Sequence, residues 1–173
     1  MKLLYAIHKY DVFMFNWLMH VRWLTLLTRI CRLLSKSGDG TLYLLLALWI
    51  SWQQGFNSPM MQTMVLAFAI ERPVYFVLKN SLKRNRPQAA LANYRSFIQP
   101  SDKFSFPSGH TSAAFMMATL LGAAWPEWII LFYSWAMLVG FSRVVLGVHF
   151  PTDTLVGAIL GLSIALFSLE QMI

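Results

Sequence analysis

The chain has 173 residues, of which 57% are apolar and 12% charged, and its mean hydropathy is +0.54. A soluble domain carries about twice that charged fraction, so the composition favours a single membrane-embedded domain over a soluble protein. The formal charge of +7 indicates an anionic partner, and in so apolar a chain this is a lipid or a phosphate-bearing substrate rather than nucleic acid. Cys31 is the only cysteine, which excludes an intrachain disulfide and a cysteine metal site.

Residues 1–40 carry a pattern of their own. At about 100° per residue, four cations share an arc of about 80°, and Leu and Trp side chains fill the rest of the turn; they are Arg22, Arg29, Arg32 and Lys36. This pattern predicts an N-terminal amphipathic helix lying in the membrane interface. The alternative is a further transmembrane span whose arginines face protein, which is less favoured because arginines are costly in hydrocarbon.

The remainder of the chain contains five apolar segments. They cover about residues 41–52, 59–82, 107–125, 128–146 and 151–169, and most approach the roughly 20 residues that a membrane-spanning helix needs. The first is short, and the connections at 54–58 and 125–127 are tight, which makes neighbouring helices antiparallel. We therefore predict an all-α fold, a polytopic transmembrane bundle of about five to six spans. Residues 84–106 form the one long irregular stretch, and such loops in compact domains are commonly functional.

The second segment ends in a cluster of cations. Arg72, Lys79 and Arg86 are spaced by seven, so they would line one face of a continuous helix. Arg72 lies deeper than the other two, and an arginine within a membrane requires a partner, for which the adjacent Glu71 is the candidate. Taken alone, the cluster could equally be a basic flank that anchors a span at the membrane surface.

A second group of residues lies where the irregular stretch meets the third segment, with the sequence Phe-Pro-Ser-Gly-His-Thr at 106–111. Proline suits the first turn of a helix, and glycine allows close approach of the backbone to a ligand. Backbone N–H groups at such a helix start, together with the Ser108 hydroxyl, would form a cradle for phosphate oxygens. His110 would stand beside this cradle as a group able to transfer protons at neutral pH.

A third group surrounds the junction of the fourth and fifth segments. Ser142-Arg143 is followed by His149 and then, four residues later, by Asp153. His149 is a candidate nucleophile, and Asp153 could hold its imidazole in the required tautomer. The alternative is an interfacial histidine beside a helix-capping aspartate. Because the spans are antiparallel, all three groups are expected at the same membrane face.

Together the three groups resemble the signature of the type 2 phosphatidic acid phosphatase superfamily. That signature is Lys-x6-Arg-Pro, then Pro-Ser-Gly-His, then Ser-Arg-x5-His-x3-Asp, and it is intact and in order within residues 60–170. The resemblance implies that His149 attacks phosphorus, Asp153 orients it and His110 protonates the leaving oxygen. It also implies a set of phosphate-binding residues: Lys79, Arg86, Ser108, Gly109 and Arg143.

The resemblance further implies a metal-independent enzyme with no cofactor, one that acts on a lipid phosphate within a bilayer and does not bind nucleic acid. Among the substrates of bacterial members we favour undecaprenyl diphosphate, with phosphatidylglycerophosphate, phosphatidic acid and lipid A phosphates as alternatives. Residues 88–103 are expected to select among them. A non-catalytic lipid-binding or lipid-flipping protein is the rival class.

The domain organisation follows from these patterns. Residues 1–173 form one domain, with an interfacial helical region at 1–40 and a transmembrane catalytic core at 41–173. The resemblance implies a bacterial inner membrane with the active site on the periplasmic face. However, thirteen of the fourteen Lys and Arg residues lie on or near the catalytic face, and the positive-inside rule would place that face in the cytoplasm. A span over residues 10–33 would ease this conflict.

Overall fold

A computed structural model describes residues 2–171, with side chains from residue 7 onward. Within these residues the chain forms α-helices and no strands, which confirms the predicted all-α class. The helices are α1 (Lys2–Met19), α2 (Leu24–Ser37), α3 (Gly40–Gln54), α4 (Pro59–Leu82), α5 (Pro87–Ala90), α6 (Gly109–Ala124), α7 (Ile129–Val145) and α8 (Pro151–Glu170), with a short 3₁₀ turn at Pro126–Trp128 before α7.

Among residues 2–171, three helical segments are long and apolar enough to cross a membrane: Pro59–Leu82, Pro126–Val145 and Pro151–Glu170. The segments at 41–52 and 107–125 were also predicted as spans. They form α3 and α6, which have 15 and 16 residues, fewer than the roughly 20 that a perpendicular span requires. Membrane crossing by α3 and α6 therefore stays a prediction.

The helix α6 lies at the centre of the bundle. It packs against α4, α7 and α8, and Met116, Met117 and Leu120 on it are fully buried. A helix that is apolar on all sides is typically enclosed by its neighbours. The first residues of α6 are therefore fixed by surrounding helices, and these residues carry the Pro-Ser-Gly-His motif.

Two glycines of α8 allow it to approach α6 closely. A side chain at Gly157 would have its Cβ 2.6 Å from the carbonyl oxygen of Ser108, and one at Gly161 would overlap the carbonyl oxygen of Ser112. The Gly-x3-Gly spacing is a common sequence signal for such helix pairs in membranes. This contact fixes the position of α8 relative to the start of α6.

The outer surfaces of α4, α7 and α8 are apolar. Large side chains remain exposed there, among them Phe76, Val77, Ile130, Met137, Leu155 and Ile159. Exposed apolar surface of this extent indicates contact with lipid rather than water.

The N-terminal region consists of two helices rather than one. Because α1 ends at Met19 and α2 begins at Leu24, a continuous helix over residues 10–33 is not formed. The predicted amphipathic helix is α2, which packs on α7 and buries Thr28, Cys31 and Ser35. Its three cations, Arg29, Arg32 and Lys36, are exposed, and so are Leu26, Ile30 and Leu33; the fourth cation of the pattern, Arg22, is exposed in the turn before α2. The helix therefore has a protein-facing side, a cationic side and an apolar side, and its location in the membrane interface stays a prediction.

The continuous helix assumed between Arg72 and Arg86 is also wrong. The helix α4 ends at Leu82, because Lys83 adopts a left-handed conformation with φ 47°. The chain then folds back, and an antiparallel bridge joins Asn85 to Phe104 near the two ends of the 84–106 loop. Arg86 is thus the N-cap residue of the short helix α5 instead of a residue of α4.

Candidate active site

The three sequence motifs meet at one cavity of about 590 Å³. The C-terminal part of α4, the first turn of α6 and the junction between α7 and α8 all contribute to its wall. Six of the eight predicted site residues line it: Lys79, Arg86, Gly109, His110, Arg143 and His149. The remaining two, Ser108 and Asp153, are fully buried behind the wall.

His149 lies in the turn between α7 and α8 and is 2% exposed. Its Nε2 atom is 3.4 Å from Nη1 of Arg86, on the cavity side. Its Nδ1 atom is 3.7 Å from Oδ2 of Asp153, which exceeds hydrogen-bond length, and among the described residues Nδ1 has no hydrogen-bond partner. The ring thus presents one nitrogen to the cavity and the other to a carboxylate.

Asp153 is held by two further contacts. Its Oδ2 accepts a hydrogen bond from the backbone N–H of Phe150 at 2.7 Å, and its Oδ1 accepts one from Nη1 of Arg84 at 2.8 Å. The first contact caps the start of α8, so the capping interpretation and the histidine-orienting interpretation apply to the same side chain. Nη2 of Arg84 in turn donates to the buried carboxylate of Asp11 at 2.6 Å. The position of Asp153 therefore depends on α1 as well as on α8.

Burial lowers the pKa of His149 to about 3, because desolvation disfavours the charged imidazolium and outweighs the opposing effect of Asp153. The neutral ring that results carries a lone pair on one nitrogen. Such a ring is in the form that a nucleophile requires.

The same burial predicts a pH dependence of stability. In the unfolded chain the pKa of a histidine is about 6.5, so below that value the unfolded state binds a proton that folded His149 does not. The contribution of His149 to the free energy of unfolding is then fully present above about pH 6.5. It decreases as the pH falls, and at pH 5 it is lower by about 2 kcal/mol. We expect the thermal midpoint, followed by tryptophan fluorescence, to fall less between pH 7.5 and pH 5 in His149→Gln than in the wild type. Equal falls in the two proteins would contradict a neutral buried His149.

Lys79 and Arg86 form a cationic pair around one carboxylate. Nζ of Lys79 is 3.0 Å from Oδ2 of Asp102, and Nη2 of Arg86 is 2.6 Å from Oδ1. The hydroxyl of Tyr75 also donates to this carboxylate, at 3.1 Å. Burial alone would raise the pKa of Asp102, but the hydrogen bonds from Arg86 and Lys79 lower it. The pair therefore already binds two anionic oxygens, one through each cation.

Arg143 supplies a third cation. Its guanidinium is 5% exposed and donates through Nη1 to the hydroxyl of Ser35 in α2. Its Nε is buried, and no hydrogen-bond partner for it lies in the part of the chain that the structure describes. Buried donors normally have a partner, so Nε is a candidate contact for an anion bound in the cavity that Arg143 lines.

The first turn of α6 differs from the prediction in one respect. The hydroxyl of Ser108 lies 2.8 Å from Oγ1 of Thr111 and caps the helix, so it does not line the cavity. The backbone does: the N–H groups of Gly109 and His110 have no acceptor among residues 7–171. A Cβ at Gly109 would be 2.9 Å from the Tyr75 ring, which explains why this position needs glycine.

Several residues of the site were missed by the sequence analysis. Nε2 of His110 is 2.8 Å from Oδ1 of Asp39, just before α3, and 71 residues separate them. Asp102, Arg84 and Asp11 likewise reach the site across long stretches of chain. Only Tyr75 had a usable signal, since it lies one helical turn before Lys79.

The predicted partner of Arg72 is confirmed. Arg72 forms an ion pair with the adjacent Glu71, whose other carboxylate oxygen accepts the hydroxyl of Ser112 at 2.6 Å. Glu71 is fully buried, so a charge inside the bundle is satisfied from two directions. The hydrogen bond from Ser112 to Glu71 joins α6 to α4 close to the cavity.

The chain is similar to several known proteins. Residues 60–172 match the family model described as the PAP2 superfamily. The chain is 32% identical over 132 residues to the bacitracin transport permease protein BcrC of Bacillus licheniformis, covering 72% of this chain and 63% of that protein. It is 34% identical over 110 residues to the undecaprenyl-diphosphatase of Sulfolobus acidocaldarius, covering 62% of this chain and 53% of that protein. The matches thus span little more than half of these relatives.

A solved structure is similar over almost its whole length. The crystal structure of Aquifex aeolicus LpxE superposes with a TM-score of 0.81 and 28% sequence identity. The superposition covers 92% of this chain and 94% of that one. Because the superposition leaves out about 8% of this chain, it extends over most of the residues that precede the family match.

Proposed function

The chain belongs to the PAP2 superfamily, and on that premise we propose that it is a membrane lipid phosphatase that acts through a histidine nucleophile. The observation that supports this most is a buried His149, whose pKa burial lowers, facing a cavity that four cations line: Arg72, Lys79, Arg86 and Arg143. Phosphoryl transfer depends chiefly on positioning and on electrostatic stabilisation. Fixed cations can supply both, so the reaction we propose requires no metal.

Binding would begin with exchange of anions. The phosphate oxygens of the substrate replace the carboxylate of Asp102 between Lys79 and Arg86. Arg143 and the N–H groups of Gly109 and His110 hold the remaining oxygens at the positively polarised end of α6. Because Asp102 belongs to the 84–106 loop, this exchange couples loop position to substrate binding.

The first chemical step is attack on phosphorus. The Nε2 lone pair of His149 forms the N–P bond while the bond from phosphorus to the leaving oxygen breaks. His110 gives a proton to that oxygen, and the Asp39 carboxylate, 2.8 Å from Nε2 of the ring, orients it. Asp153 stabilises the positive charge that develops on the phosphorylated ring of His149.

The second step restores the enzyme. Water attacks the phosphorus of the phosphohistidine, and His110 accepts a proton from it. The N–P bond breaks, His149 recovers its lone pair, and inorganic phosphate leaves the cationic cluster. His110 is then protonated again for the next cycle.

The substrate we favour is undecaprenyl diphosphate, which the name of the Sulfolobus relative supports. Phosphatidylglycerophosphate, phosphatidic acid and lipid A phosphates are the alternatives. The exposed apolar surfaces of α4, α7 and α8 suit a substrate whose tail stays in the bilayer. A non-catalytic lipid-binding or lipid-flipping role is the second candidate, favoured by the name of BcrC as a transport permease protein.

We expect the purified protein in detergent to release phosphate with EDTA present, with the highest kcat/KM on undecaprenyl diphosphate. The reason is that protein cations, rather than a metal, bind the transferred phosphate. Free phosphate would be measured over a panel of undecaprenyl diphosphate, phosphatidylglycerophosphate, phosphatidic acid and lipid A, with Mg²⁺ replacing EDTA in the parallel control. Activity only with Mg²⁺ would contradict the mechanism. Absence of turnover on every lipid would favour the non-catalytic role.

We also propose that the protein lies in a bacterial inner membrane with the cavity on the periplasmic face. Part of the excess of cations at this face has a local explanation, because Arg29, Arg32 and Lys36 line a groove next to the cavity. A Ser101→Cys variant tests the side, since Ser101 lines the cavity and Cys31 is buried. We expect a membrane-impermeant maleimide to label this cysteine in intact spheroplasts. If the cysteine were labelled in inverted vesicles and not in spheroplasts, the cavity would face the cytoplasm.

A further inference from the structure

A second cavity adjoins the active-site cavity. Its volume is about 640 Å³, and α2 lines one side while residues 98–101 of the loop line the other. The two cavities share four lining residues: Asp39, Ser101, His110 and Arg143. We call the second one the α2 groove.

The α2 groove is cationic. Arg29, Arg32 and Lys36 line it from α2, and their spacing places them on one side of the helix. In the part of the chain described here, none of the three lies within 4.0 Å of a carboxylate. Arg32 donates to the carbonyl of Phe97 at 2.9 Å and so holds the loop. The acidic residue of the groove, Asp39, is engaged by His110.

The groove lies on the leaving-group side of the reaction. Lys79 and Arg86 bind the phosphoryl group that is transferred, and neither lines the groove. His110, which protonates the leaving oxygen, lines both cavities. Atoms attached to the leaving oxygen therefore extend past His110 toward the cations of α2.

We infer that the α2 groove binds a second anionic phosphate, carried by the leaving group of the substrate. This inference rests on the proposed phosphatase activity and narrows its substrate class. Lipid diphosphates and lipids with a phosphodiester beside the scissile phosphate have such a leaving group. A phosphatidic acid does not, because its leaving group is an uncharged diacylglycerol. An anionic headgroup of the bilayer has the same chemistry, so the test must separate the two sources.

The test compares two probes with the same tail, farnesyl diphosphate and farnesyl monophosphate, in micelles of an uncharged detergent. The variant is Arg29→Gln combined with Lys36→Gln, with Arg32 kept because it holds the loop. Loss of charged contacts to a bound phosphate should lower kcat/KM for the diphosphate by about tenfold or more. For the monophosphate the change should stay within about threefold, since its leaving group is an alcohol.

The matched control is Arg22→Gln, an exposed cation that precedes α2 and lines neither cavity. It should leave kcat/KM unchanged on both probes. Equal falls on both probes in the double variant would overturn the inference while leaving the phosphatase activity intact. So would a fall that occurs only when phosphatidylglycerol is added to the micelles, because the groove would then bind a headgroup. If the wild type hydrolysed neither these probes nor the lipid panel, the proposed function itself would fail, and the inference with it.

Discussion

The His149→Ala variant is expected to lose phosphate release by at least about 10⁴-fold in kcat, as nucleophile removal does in enzymes that act through a covalent intermediate. Nε2 of His149 is the nitrogen that faces the cavity beside Arg86. Alanine leaves the cationic cluster in place but removes the atom that would accept the phosphoryl group. Steady-state phosphate release in detergent measures the loss.

The control for this variant is His20→Ala. His20 is an exposed histidine that does not line the cavity, and its Nδ1 hydrogen-bonds the carbonyl of Asn16, so wild-type kcat is expected. Rapid acid-free quenching with a ³²P-labelled lipid should trap a base-stable, acid-labile phosphoprotein in the wild type and none in His149→Ala. If His149→Ala kept wild-type turnover, the nucleophile would have to be another residue.

The meeting of the three motifs could be predicted because each motif lies at the end of an apolar helix. Antiparallel order alone brings the end of α4, the start of α6 and the junction of α7 and α8 to one side of the bundle. Lys79, His110 and His149 could therefore be placed together from hydropathy and spacing. Their chemistry followed from residue type, without knowledge of any distance between them.

What could not be predicted depended on contacts between distant parts of the chain and on local competition for hydrogen bonds. Asp39 and Asp102 reach the site from a helix start and a loop, and nothing in their neighbouring residues indicates a partner. Ser108 caps α6 instead of facing the cavity, because a side chain at the N-cap position can satisfy a backbone N–H of its own helix. The end of α4 was missed because Lys83, rather than glycine, adopts the left-handed conformation there.

The second large effect on kcat is expected when Asp153, the carboxylate that faces Nδ1 of His149, is replaced. Asp153 faces Nδ1 of His149 at 3.7 Å and is fixed by Arg84 and by the backbone of Phe150. Replacement by asparagine keeps a carbonyl oxygen that can accept one of these hydrogen bonds, but it removes the negative charge. The phosphorylated imidazole would then develop its positive charge without a counter-charge in a buried place. We expect Asp153→Asn to lower kcat by about 10³- to 10⁴-fold.

Asp11→Asn is the matched control, because it also removes the charge of a buried carboxylate that pairs with Arg84, whereas Asp153 beside His149 is unchanged. Arg84 keeps its bond to Asp153 in that variant, so the histidine keeps its counter-charge. We expect kcat within about fivefold of the wild type, whereas thermal unfolding should shift to a similar extent in both variants, by about 1–3 kcal/mol in stability. The rate constant of phosphoprotein formation, measured by rapid quenching, separates the roles: Asp153→Asn should reduce it, and Asp11→Asn should not. Similar losses of kcat in the two variants would mean that Asp153 acts by holding the fold through Arg84 and not by stabilising the charge on His149.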